Sequence, residues 1–392
     1  MTGEDRAIYW LSAGHLVTDI YLPAITAIIP VLVAVYGYSF LLAGSLVTVY
    51  NVTSSATQPL FGWLSDRRKL EVPVPASLIL TGFSTAAIGL TTDYRVILLL
   101  TALGGLGHAS FHPNALSHVN RLCTGLNRGQ VTALFVVGGN LGYAIGPLLT
   151  GVVVTGFGLP GLLFLLIPAA AVSIPLLLHP SSCGTESGET VHIPSTPPNG
   201  QSLGPVLTLF GIVLMRAWVI FAAIAFFPPL LMREGFDLVS VTLIISLMLF
   251  AGVAGQVVGG RLSDRYGRKE FVIAGMIVSI PALFVFLYTT GPLAIAALFI
   301  FGFALWSGFA VTIAMSHELV PGRIGFISGI MLGLAVGAGG LGVAITGGIA
   351  DRFSLHAALG MLPLLIAGSL LLAVLIRYPW KSLKRAPDNN RR

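Results

Sequence analysis

Long apolar stretches recur twelve times along this chain, at about 7–35, 40–64, 73–91, 95–119, 129–155, 160–178, 204–231, 239–262, 270–289, 293–316, 325–350 and 355–376. About 20 apolar residues cross the hydrocarbon core of a bilayer as a helix. A helix also satisfies its own backbone polar groups where water is absent. Only 9% of the residues are charged, against roughly 25% in a soluble domain, so a water-soluble fold is excluded. The fold class expected is an all-α polytopic membrane protein. The first stretch reads as a span rather than a cleaved signal peptide. It is long, carries His15 and Asp19 in its middle, and lacks a small-residue cleavage site before a polar start.

Basic residues divide unevenly between alternate loops. One set holds Arg67, Arg68, Lys69, Arg121, Arg128, Arg261, Arg265, Arg268, Lys269 and Arg323, with Arg6 and the cluster from Arg377 to Arg392 in the tails. The opposite loops hold Arg95, Arg233 and Arg352. By the positive-inside rule both termini are expected in the cytoplasm, in a plasma or inner cell membrane. The basic tail 379–392 then lies against anionic lipid headgroups, which accounts for the formal charge of +6 without a nucleic-acid partner. Cys123 and Cys183 fall on segments of the same side, so no disulfide framework is expected.

The chain also repeats itself. Gly62-Trp-Leu-Ser-Asp66-Arg67 recurs 198 residues later as Gly260-Arg-Leu-Ser-Asp264-Arg265. The same offset superposes Gly139 on Gly337 and Gly142 on Gly340. Duplication of a membrane unit produces this register. The polar stretch rich in Ser, Thr, Pro and Gly reads as a linker at 179–203. It joins an N-terminal six-helix half, 1–178, to a C-terminal half, 204–378. Gly142, Gly146 and Pro147 in one half, and Gly337 and Gly340 in the other, mark helices that pack closely or rock against partners. A carboxylate at a helix N-terminus is stabilised by the macrodipole. Gly62, Asp66, Arg67, Gly260, Asp264, Arg265 and Arg268 are therefore expected to gate, with the carboxylates docking on helix starts and the arginines neutralising them.

A second group is polar where the membrane is driest. Asp19, His112, Asn51, Asn140 and Arg216 each fall near the middle of a span. An ionised side chain facing lipid there costs at least about 2.5–3.5 kcal/mol, so Asp19 and Arg216 should face a wet cavity or each other. His15 and Asp19 share a helix face by their i, i+4 spacing. Substrate contacts are expected from His15, Asp19, Asn51, His112, Asn140 and Arg216, and proton coupling from Asp19, His112 and Glu318. A structural ion pair is the bland alternative for Asp19, and a hydrogen-bonded structural imidazole for His112. His108 and His112 with His15 and Asp19 could complete a metal set. The sequence fixes no distance between helices and places no thiolate nearby, so neither a metal nor another cofactor is expected.

The segment Gly260 to Lys269 resembles the loop signature of the major facilitator superfamily of transporters. Gly14-His-Leu-Val-Thr-Asp19, Gln58-Pro-Leu-Phe-Gly62, Phe111-His-Pro113, Val137-Gly-Gly-Asn-Leu-Gly142 with Gly146-Pro147, Glu318-Leu-Val-Pro-Gly-Arg-Ile-Gly325 and Gly337-Ala-Gly-Gly-Leu-Gly342 together resemble its fosmidomycin-resistance-like family. The resemblance spans nearly the whole chain. It implies the superfamily fold, with twelve transmembrane helices in two pseudo-symmetric halves. It further implies a proton-driven antiporter that exports small drug-like or anionic molecules by alternating access. In that family a cation stands at the position of Arg216, suited to an anionic group. The family pattern often continues Phe-His-Pro with Glu, whereas this chain has Asn114, which shifts coupling onto Asp19, His112 or Glu318 or alters it.

A uniporter or importer of a small organic anion is the other transport reading, favoured by Arg216 and Asn114. A membrane enzyme is not expected: no nucleophile–base pair, HExxH or phosphate loop is present in the sequence. A non-transporting sensor would carry an added soluble domain. The partners expected are the small-molecule substrate, protons and membrane lipids, and the chain is expected to act as a monomer.

Overall fold

A computed structural model describes residues 3–68, 72–122, 128–178, 203–320 and 327–380. The Asp66 and Arg67 side chains, the linker from 179 to 202, both cysteines, Arg323, Gly325 and the tail beyond Trp380 lie outside the described residues. The described residues are helical throughout, with no strand among them. Helix α1 (Gly3–Ala27) breaks at Ile28 and resumes as α2 (Ile29–Ala34), where Pro30 occupies the first helical positions and needs no amide partner. There follow α3 (Phe40–Arg68), α4 (Val74–Ala87), α5 (Tyr94–Leu122), α6 (Arg128–Phe157) and α7 (Leu166–Leu178). The second half supplies α8 (Leu203–Arg233), α9 (Leu238–Tyr266), α10 (Arg268–Tyr288), α11 (Gly291–Leu319), α12 (Val336–Arg352), α13 (Leu355–Leu359) and α14 (Leu362–Leu375). A π-helical turn, Gly329–Ala335, leads into α12.

The twelve predicted spans are helical over nearly all of their described residues, and residues 325 and 326 of the eleventh lie outside those. Ten passages are long and apolar enough to cross a membrane, and a shorter apolar helix covers Val74–Leu90. The remaining passage, α3, is long enough but polar in its middle, with Asn51, Thr53, Ser54, Ser55, Thr57 and Gln58 in succession. Such a helix survives because its hydroxyls bond back to carbonyls one turn earlier, as Thr53 does to Val49 and Thr57 to Thr53. Large apolar side chains such as Leu99, Ile167, Leu177, Leu364 and Leu375 stay exposed on the helices, where lipid is their natural solvent.

The chain gathers into two compact units. The first comprises Met1–His192, Ile220–Leu247 and Gly340–Leu359, and the second Ile193–Val219, Met248–Gly339 and Gly360–Arg392.

In the first unit α1 lies along α6 on a ladder of glycines four residues apart. A Cβ on Gly138, Gly142 or Gly146 would stand 2.4, 1.9 or 2.5 Å from the carbonyl oxygens of Ser12, Leu16 and Ile20 respectively. The two backbones touch, which only glycine permits. Tyr21, Tyr50, Phe111, Phe226 and Phe227 are fully buried within this unit. The second unit repeats the device between α9 and α11: a Cβ on Gly255 or Gly259 would lie 2.1 Å from the carbonyl of Phe303 or Ser307.

Candidate functional site

In the first unit α1 and α5 face each other with one titratable pair apiece. Spacing of four residues puts His15 and Asp19 on adjacent turns of α1, and His108 and His112 on adjacent turns of α5. All three imidazoles surround one carboxylate. His15 Nε2 lies 3.3 Å from Asp19 Oδ2, His112 Nε2 3.5 Å from Oδ1, and His108 Nδ1 3.9 Å from Oδ1. The two α5 rings touch, Nε2 to Nε2, at 2.9 Å. Tyr50 of α3 closes one side, its ring 5.5 Å from that of His108. Asp19 Oδ1 and the Tyr50 hydroxyl are buried with no hydrogen-bond partner among the described residues.

One backbone group decides the protonation pattern. His15 Nδ1 lies 2.7 Å from the Phe135 carbonyl oxygen, and the two rings stack at 4.2 Å. A carbonyl only accepts, so Nδ1 carries a hydrogen. In the neutral ring Nε2 then presents a lone pair to the Asp19 carboxylate 3.3 Å away. Two lone-pair atoms at that separation repel unless a cation lies between them. The geometry therefore selects a held cation, and a proton on Nε2 is the simplest.

Gly139 of α6 makes the room. A Cβ there would stand 2.4 Å from His15 Nε2 and 2.6 Å from Asp19 Oδ2. Neither Gly139 nor His108 was among the expected coupling or substrate residues. Their signals were the i, i+4 match of His108 with His112 and the doubled glycine before Asn140. Asn140 itself is partly buried one position further on. Asn51 is buried against Gly340, with its amide donating to Val47 of its own helix at 2.9 Å. Asn114 is buried and donates to the Val72 carbonyl at 2.9 Å. That side chain ties a turn, and its amide faces an oxygen that an ionised acid could not bond.

Arg216 belongs to the second unit and is 3% exposed. Its Nη2 donates to Thr312 at 2.9 Å, its guanidinium lies 5.6 Å from the Phe309 ring centre, and Nη1 has no hydrogen-bond partner among the described residues. Gly308 leaves the space beside Nη1, where a Cβ would come to 3.0 Å. No carboxylate among the described residues lies within ion-pair distance of it. An unneutralised guanidinium of this kind is suited to an anionic group.

The Major Facilitator Superfamily model matches residues 11–227 and 209–391. The chain is 30% identical over 361 residues to the fosmidomycin resistance protein of Escherichia coli, covering 88% of this chain and 86% of that protein. The chain belongs to the major facilitator superfamily. It is a membrane transporter by family and not an enzyme. It is also 29% identical over 362 residues to an uncharacterized superfamily transporter, YfnC, of Bacillus subtilis, with 90% and 87% of the two chains covered. Among solved structures, a bacterial homolog of the human lysosomal transporter Spinster, inward-facing and occupied, matches with a TM-score of 0.77 at 15% identity over 95% of this chain and 96% of that one. The nucleoside transporter NupG matches with a TM-score of 0.70 at 13% identity, over 95% and 100%. These two establish the fold alone.

In the second copy of the superfamily turn, Gly267 separates α9 from α10 at φ +111°, a conformation that side chains rarely adopt. The steric need for glycine is thus at Gly267, whereas a Cβ on Gly260 meets nothing within 4 Å. In the first unit a Cβ on Gly62 would meet only Pro113, at 3.9 Å. Asp264 pairs with Arg268 at 3.4 Å, and Arg268 reaches on to Glu318 at 2.9 Å. Arg265 is exposed beside the Tyr266 ring, at 5.4 Å. Arg268 thus links the turn to the end of α11. Glu318, expected as a proton site, also accepts the Tyr378 hydroxyl. Burial first, and then the Glu318 carboxylate, hold that phenol above its usual range, so it remains a donor. Lys269 donates to the carbonyls of Val374 and Ile376 at 2.8 and 2.9 Å, capping the end of α14.

A further Asp-Arg pair, Asp351-Arg352, closes the glycine-rich helix α12 and was not among the expected gating residues. Both Asp351 oxygens accept amides at the start of α3, from Phe40 at 2.7 Å and Leu41 at 2.8 Å. About two turns further along α3, Thr48 donates to the Gly340 carbonyl at 2.7 Å. The recurrence of Asp-Arg after glycine-rich helix was the available signal. Asp351→Ala will weaken this α3–α12 clasp by about 1 kcal/mol, as for loss of an N-cap. Spin labels on the two helix ends will report longer distances, and unchanged distances would count against the clasp.

Proposed function

We propose that the chain is a proton-coupled antiporter that exports small drug-like or anionic molecules by alternating access. The observation that supports it most is the Asp19 carboxylate enclosed by His15, His108 and His112 at mid-membrane depth. That arrangement needs a cation to be stable, and histidine exchanges a proton near neutral pH. Asp19 and His112 carry the exchange in this reading, with His15 fixing the carboxylate. Arg216 receives the anionic group, with Asn51 and Asn140 as further substrate contacts. Glu318 joins the proton path where its side of the membrane opens.

The two six-helix halves, 1–178 and 204–378, move against each other around a central site, with 179–203 as the linker and both termini cytoplasmic. The Asp66–Arg67 and Asp264–Arg268 turns hold one side and the Asp351 clasp the other. The chain works as a monomer, with its basic tail on anionic lipid. The relative's name makes fosmidomycin the first candidate solute and the first probe.

The test uses purified protein in proteoliposomes carrying fosmidomycin and an imposed pH gradient. Solute movement should follow the gradient and reverse when the gradient is reversed. Movement indifferent to the gradient would replace antiport by the second reading, a uniporter or importer of an organic anion. Arg216, with its unpaired Nη1, suits that reading equally well.

A further inference from the structure

Three imidazole nitrogens and a carboxylate within a few ångströms are also a ligand set. We propose that His15 Nε2, His112 Nε2 and one oxygen of Asp19 bind a divalent first-row transition-metal cation of the zinc class. His108 stands within reach of the fourth position.

The distances supply what the sequence withheld. One ligand atom from each of His15, Asp19 and His112 can be chosen so that all lie within 4.8 Å of one another. Bonds of about 2.0–2.1 Å to nitrogen and oxygen in a tetrahedral shell put neighbouring ligand atoms roughly 3.3–3.4 Å apart. His15 Nε2 stands 3.3 Å from Asp19 Oδ2 and His112 Nε2 stands 3.5 Å from the other oxygen, Oδ1, so each imidazole faces its own side of the carboxylate. A shell on a single oxygen closes as ligand atoms within 4.8 Å of one another draw in. His108 Nε2 lies 2.9 Å from His112 Nε2, and its Nδ1 3.9 Å from Asp19 Oδ1, at the edge of this set.

The outer shell also has the required form. A metal-binding histidine characteristically donates its other ring hydrogen to a carbonyl or carboxylate, which fixes the tautomer and aims the free lone pair inward. His15 does this through Nδ1 and the Phe135 carbonyl at 2.7 Å. Gly139 keeps the centre open, because a side chain there would strike both His15 Nε2 and Asp19 Oδ2. Imidazole with a single carboxylate favours zinc, copper, nickel or cobalt over magnesium and calcium, which take all-oxygen shells. Both uses of the cluster satisfy the same electrostatic requirement, so a bound metal excludes the transported proton.

The inference shares residues with the proposed proton site, but its test involves no transport, so either can fail alone. Full-length protein, freed of any affinity tag, is titrated with Zn²⁺ and separately with Mg²⁺ by calorimetry in detergent. The expected result is saturable Zn²⁺ binding at one site per chain and no Mg²⁺ heat. His15→Ala and His112→Ala should each weaken Zn²⁺ by more than about 100-fold, beyond what loss of an outer-shell partner costs. His356→Ala, at an exposed position, should leave it unchanged. Absence of Zn²⁺ binding, or binding that persists in both cluster variants, overturns the proposal. Should those variants not fold, X-ray absorption of Zn²⁺-loaded parent protein decides. Imidazole nitrogen in the shell supports the site, and a shell of sulfur or of oxygen alone overturns it.

Discussion

An Asp19→Asn chain will fold and insert as the parent does, yet move no protons with its solute. The two side chains have nearly the same shape, and the amide can donate to the His15 Nε2 lone pair that the carboxylate can only oppose. The cluster then becomes neutral without any cation, which removes the reason to hold a proton. Solute-dependent proton flux into proteoliposomes, followed with a trapped pH dye, should fall by about 100-fold or more, the scale on which a positioned proton carrier acts. Thermal stability should stay within about 1 kcal/mol of the parent, because no cavity or overpacking is introduced. Undiminished proton flux would remove Asp19 from the coupling path.

The second large effect is structural. Gly142→Ala adds one methyl group at a point 1.9 Å from the Leu16 carbonyl oxygen. Neither backbone can yield without shifting α1 against α6, and Gly138 and Gly146 hold the same seam one turn away on either side. Destabilisation should reach or exceed about 3 kcal/mol, the upper part of the overpacking range. It should appear as a lower midpoint in thermal unfolding and poor recovery from the membrane. Gly156→Ala is the control. Nothing lies within 4 Å of its Cβ position, and alanine favours a helix over glycine by up to about 1 kcal/mol. Equal behaviour of the two variants would show that the α1–α6 seam is looser than the backbone contact implies.

The architecture was legible because lipid imposes one rule on every span: an apolar run about twenty residues long, helical throughout. Even α3, polar along its middle, is a continuous helix, although the helix that follows it, Val74–Leu90, is shorter than a full span. The repeated Asp-Arg turn and the glycine spacing located the helix ends and the close seams. What the sequence withheld was tertiary. His15 and Asp19 announce a shared face by their spacing, but nothing in one dimension brings His108 and His112 onto that carboxylate. The Phe135 carbonyl that fixes the His15 tautomer is a backbone group and leaves no trace in residue identity. Arg216 could be placed at mid-depth from its position, whereas its Thr312 and Phe309 contacts depend on how α8 meets α11. Asp351 was readable in principle, as a further Asp-Arg pair after a glycine-rich helix. Its loop lies opposite the two that match each other, so the internal repeat does not point to it.

Solute-linked proton release tests the central claim most directly. Fosmidomycin is added to detergent-purified protein in weakly buffered solution at neutral pH, and protons are counted with an indicator dye. Binding linkage is reciprocal, so a solute that competes with the proton held among Asp19 and the three histidines must displace it. Release of about one proton per chain from the parent, and none from Asp19→Asn, is the predicted result. Equal release from both proteins, with solute bound by both, would contradict it.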